Sequence, residues 1–152
     1  MTTTQARAGR TVAGEADRVG AVGRRVVGGF YLSMGGVHLG IVAADPSTYE
    51  GFADAGLFGF VREGWSQVFM AGPALWGACL FVGETALGIA LLVGGRPARL
   101  GWYGVIVFQV LLMLFGFWVW LWSLPAIAVL VLLARRDRRN LLPPDPAELI
   151  AR

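Results

Sequence analysis

Three polar side chains interrupt the otherwise apolar runs of this sequence: His38, Glu84 and Gln109. An ionisable group inside a membrane-spanning helix costs about 3 kcal/mol or more and normally faces the bundle interior. Their types suggest what they do there. A carboxyl buried alone favours its neutral form, whereas an imidazolium beside it favours the carboxylate. A His38–Glu84 pair would share a proton and either bind a polar headgroup or handle a proton. The alternative is that the three side chains bond to one another and fix the helices in register, which is the role expected of Gln109. Ser33 and Thr85 can bond to their own helix backbone and signal little.

Other chemistries lack residues. There is one histidine and one cysteine, Cys79. Neither a His-rich metal site nor a CxxC redox or zinc pair can be built, so no metal is expected. Cys79 reads as a small packing residue. The chain carries no cofactor motif of its own.

The elements that must position these groups are membrane spans. Of 152 residues, 56% are hydrophobic and 15% charged, against about 25% charged in a typical soluble domain. Mean hydropathy is +0.62. The apolar residues fall into runs near the roughly 20 residues needed to cross a bilayer. The spacing predicts spans at about 26–44, 68–93, 100–116 and 123–135, with an outer loop at 45–67. The first run is too long for a secretory leader and reads as an uncleaved helix. Asp45-Pro46 ends it. The loop mixes Tyr49, Phe52, Phe58, Phe60 and Trp65 with acidic residues, which predicts a short interfacial helix.

The apolar stretch 100–134 would measure roughly 50 Å as one helix at ~1.5 Å per residue, too long for a core of about 30 Å. It must be a hairpin broken near 116–123. Ser123 is expected to cap the last helix, with Pro125 in its first turn. Trp118, Trp120 and Trp122 would mark the interface.

Charge supports four crossings. All 13 basic residues are arginines. With four spans and both termini cytoplasmic, twelve lie inside and only Arg62 outside, a strong positive-inside bias. Three spans would put the Arg135–Arg139 cluster outside. The arginines sit at the ends of apolar runs and form no continuous basic face, so no nucleic-acid partner is expected. The expected organisation is an all-α four-helix transmembrane domain at 24–136, a disordered tail at 1–23 and a second cytoplasmic tail at 137–152, in the cell membrane (the inner membrane of a bacterium).

Depth makes the polar groups comparable. At ~1.5 Å rise per residue, His38, Glu84 and Gln109 lie ~18, ~14 and ~12 Å from the cytoplasmic ends of their spans. Glycine is abundant around them. Gly28, Gly29, Gly35, Gly36 and Gly40 fall in the first span, and Gly83 and Gly88 flank Glu84. Packing within the bundle is favoured over dimerisation for these small residues, including the GxxxG of Gly36 and Gly40.

The segment GETALGIALLVGGRPARLG, residues 83–101, resembles the signature of DoxX-like membrane proteins: a Glu in the second span, then Gly, a Leu run and a basic turn. The opening helix GGFYLSMGGVHLG is similar to that family's glycine-rich first helix. The resemblance covers about 24–136. It implies a small four-helix membrane protein, some relatives being linked to sulfur or quinone oxidoreduction and others to oxidative-stress complexes with soluble partners. Glu84 is the first position to carry over, then His38. The resulting expectation is a membrane subunit or a binder of a quinone or lipid, without catalytic activity of its own. Two alternatives stand beside it: a component of an oxidoreductase complex whose chemistry lies in a partner, and a scaffold without ligand. The lipid bilayer is the first partner, with a protein partner or a second copy of the chain as further ones.

Overall fold

A computed structural model describes residues 3–137, and the tail expected beyond Asp137 lies outside the described residues. The protein is all helical. Helix α1 runs Thr3–Ala44, α2 Gly59–Gly64, α3 Pro73–Val93, α4 Gly95–Leu112 and α5 Phe117–Asp137. Among the described residues four helices are long and apolar enough to cross a membrane: the Arg18–Ala44 part of α1, then Pro73–Val93, Gly95–Phe115 and Phe117–Asp137.

Several boundaries differ from expectation. The segment read as a disordered tail is helical from Thr3, continuous with the first span. The second span starts at Pro73 rather than 68, because residues Trp65–Phe69 form a separate π-helical turn. Pro73 occupies the first helical position of α3, where its missing N–H costs nothing. The hairpin breaks at Gly116, whose φ of +136° suits only glycine. Helix α5 therefore starts at Phe117 and not at Ser123. Ser123 is buried within it and Pro125 is internal.

The four long helices form a ring in which each packs on its chain neighbours, and α5 returns to α1. The tightest seam joins α1 and α3. A Cβ on Gly88 would stand 2.8 Å from the Gly28 carbonyl oxygen, and one on Gly35 would stand 2.7 Å from Thr85 Oγ1. These missing side chains let the backbones approach. Gly29, Gly36, Gly40 and Gly83 have nothing within 4 Å of a Cβ position. The GxxxG pair thus lies outside the internal packing expected of it. Cys79 is also exposed, not packed.

The two ends of the bundle differ. One end carries the α3–α4 turn and the C-terminus of α5, and is called here the terminal end. Its core is Tyr31, Leu91, Ala98, Trp102, Val105 and Leu130. The other end is covered by residues 45–72. Asp45 caps a 3-10 helix over Pro46–Ala53, its side chain accepting from the Ser47 N–H at 2.9 Å. Those hydrogen bonds hold the Asp45 carboxyl below its usual range. Tyr49, Ala53, Val61 and Phe69 are buried. The Leu57 N–H donates to the Leu114 carbonyl at 2.9 Å, tying this cover to the α4–α5 hairpin.

Candidate functional site

His38 sits on α1 three residues after Gly35. The close approach at Gly35 and Thr85 sets the two backbones together one turn away, so the imidazole meets the side chain next to Thr85. His38 Nε2 lies 3.6 Å from Glu84 Oε1. That is ion-pair distance and too long for a hydrogen bond. The other ring nitrogen, Nδ1, shares a hydrogen bond of 2.7 Å with the Tyr49 hydroxyl. Both imidazole nitrogens therefore face a partner, one from the cover and one from the bundle interior.

The Glu84 side chain is 4% exposed and that of His38 16%. Glu84 Oε2 is buried and receives no hydrogen bond from any described residue. A buried carboxyl oxygen left without a donor costs about 1–3 kcal/mol, more if charged. In a natural protein such an atom calls for an explanation. Tyr31 is also buried in the bundle interior. Its own hydroxyl donates to the Val105 carbonyl at 3.2 Å, so it does not satisfy Oε2.

Tyr49 belongs to the site although nothing in its sequence context marks it beyond an aromatic-rich loop. Burial, and then the negative charge of Glu84, raise its phenol above the ordinary value. Its ring stacks on His38 at 5.8 Å between centroids and meets Phe69 edge-on at 5.1 Å. The Trp65 indole N–H donates to the Tyr49 carbonyl at 2.9 Å, and Trp65 stacks on Phe69. The cover thus sets an aromatic roof over the polar pair.

Gln109 takes a different partner. It is buried, and its amide donates to Ser123 Oγ at 2.8 Å, linking α4 to α5. The three residues grouped by depth are thus resolved into a His38–Glu84 pair with Tyr49, and a separate Gln109–Ser123 bond.

A second polar cluster lies at the terminal end. Asp137 is fully buried. Its Oδ2 stands 3.2 Å from Arg24 Nε and accepts from the Trp102 indole N–H at 3.0 Å. Arg24 Nη1 also donates to the carbonyls of Leu91 and Leu92, at the C-terminus of α3. There a cation satisfies open carbonyls and suits the helix dipole. Gly94, with φ +83°, turns the chain under the guanidinium. One arginine and one aspartate thus clasp all four long helices. In the sequence Asp137 looks like a solvated acid within a basic run, so no signal pointed to it.

Among the described residues no group of three or more His, Cys, Asp or Glu side chains is arranged to hold a metal ion. No protein-family model, curated protein or solved structure matches the chain, so the DoxX-like resemblance rests on the residues that carry it.

Proposed function

We propose that this multi-pass membrane protein binds a small membrane-dissolved ligand, a quinone or a lipid, whose polar head engages Glu84 and His38 beneath the aromatic roof of Tyr49, Trp65 and Phe69. In this reading it is a DoxX-like membrane subunit, and any redox chemistry resides in a partner. The observation that carries the proposal is the unpartnered Glu84 Oε2, buried beside a histidine already engaged through its far nitrogen. Ligand sites combine apolar walls with a few placed polar groups, and this one has that composition.

The orientation follows the charge. Of the described arginines all but Arg62 lie toward the terminal end, while Asp45, Glu50, Asp54 and Glu63 lie in the cover. This bias supports a cytoplasmic terminal end, with the site in the outer half of the membrane.

The test is mass spectrometry of lipid extracted from gently purified protein. The wild type should carry a near-stoichiometric quinone or lipid. Glu84→Gln and His38→Ala should lose most of it while keeping a monodisperse, helical protein. Wild-type protein without bound ligand, together with variants that lose only thermal stability, would make the pair a register pin in a scaffold.

A further inference from the structure

The unpartnered atom also restricts the ligand's chemistry. Glu84 Oε1 faces His38 Nε2 at ion-pair distance, and Nδ1 shares its hydrogen bond with the Tyr49 hydroxyl. With one proton between Oε1 and Nε2, on either atom, Oε2 carries none and is an acceptor only. The group missing at Oε2 must then be a donor. A carbonyl would set two acceptors against each other. An ammonium would bring a full charge into this buried site. A neutral hydroxyl avoids both conflicts. The titratable groups near Glu84 are His38 and Tyr31 from α1 and Tyr49 from the cover. The Tyr31 hydroxyl is spent on Val105, and the Tyr49 hydroxyl makes no hydrogen bond to Oε2.

We infer that the ligand is a hydroxyl-bearing amphiphile, held by donation of its O–H to Glu84 Oε2, and not a molecule that presents only carbonyl or ether oxygens. This rests on the binding reading above and narrows it. The hydroxyl has two possible sources, the free glycerol oxygen of an acyl lipid or the ring oxygen of a quinol. Both supply the same bond.

The test compares matched probes on the full chain in detergent, by competition in native mass spectrometry. One pair is dioctanoylglycerol and its 3-O-methyl ether. The other is decylubiquinol and decylubiquinone. Within at least one pair the hydroxyl member should bind about tenfold or more tighter, the scale set by an unsatisfied buried acceptor. The pair that discriminates identifies the source. Glu84→Gln places an amide N–H₂ in the site, so it should erase or reverse that preference. If this variant does not assemble, the wild-type comparison still decides. Capped or carbonyl probes that bind as tightly as their partners would overturn the inference and leave the binding site standing. A preference that survives Glu84→Gln would overturn the assignment to Glu84. No binding by any probe would remove the binding reading, and the inference with it.

Discussion

A phenol held between an apolar roof and a carboxylate keeps its proton more tightly than a free one. Tyr49 is in that position, through burial first and the Glu84 charge second. Its tyrosinate absorbance, isolated by difference from Tyr49→Phe, should therefore appear above the ordinary pH of about 10. In Glu84→Gln the charge is gone and the burial remains, so the transition should move down but stay above that of a free tyrosine. The sign for stability follows. The folded state holds this proton better than the unfolded one, so the contribution is full below the unfolded value and fades as pH rises through the folded one. An unmoved transition in Glu84→Gln would show that Tyr49 does not feel the carboxylate. At this scale the sequence singled out two of the three residues that the structure brings together, His38 and Glu84. An acid and a base inside apolar helices are visible to any hydropathy reading, and helical rise brought them to one depth. Tyr49 was hidden because its role depends on how the cover folds back. Gln109 was grouped with the pair by depth, but depth does not determine the direction a side chain faces.

Helix pairing depends on which glycines lie in the seam. Gly88 and Gly36 have similar sequence surroundings and opposite positions. Gly88→Ala should push α1 from α3 and lower thermal stability by about 1–3 kcal/mol, the usual cost of overpacking. Gly36→Ala meets nothing and should be nearly neutral. Thermal unfolding in detergent checks both, and equal losses would mean that Gly36 also lies in a contact. Composition alone could not separate these glycines, since the seam is set by the rotation of α1 about its axis. The element boundaries have the same lesson. Ser123 and Pro125 carry the local marks of a helix start, yet the chain turns earlier, at Gly116. The positive φ needed there outweighs a capping preference. Ser123 is then free to pair with Gln109 inside the bundle.

Four crossings put the first and last helices side by side, and Gly20 packs on the backbone of Arg136 and Asp137 at the terminal end. If that end is cytoplasmic, as proposed, a fluorescent protein fused after Arg152 should be bright and alkaline phosphatase fused there should be inactive. The reverse pattern would invert the orientation. The number of spans was legible because length, hydropathy and arginine placement agree. The clasp was not, because it joins residues from distant parts of the chain and one of them sits within RRDRR. Its position also has a consequence for synthesis. Arg24 leaves the ribosome early, whereas the carboxylate it pairs with arrives only when the last helix is complete. The α3 carbonyls that it caps are made in between, so until Asp137 arrives the guanidinium has those partners available but not its carboxylate. The clasp is therefore complete only once Asp137 is made, and a chain truncated before Asp137 would lack that fastening.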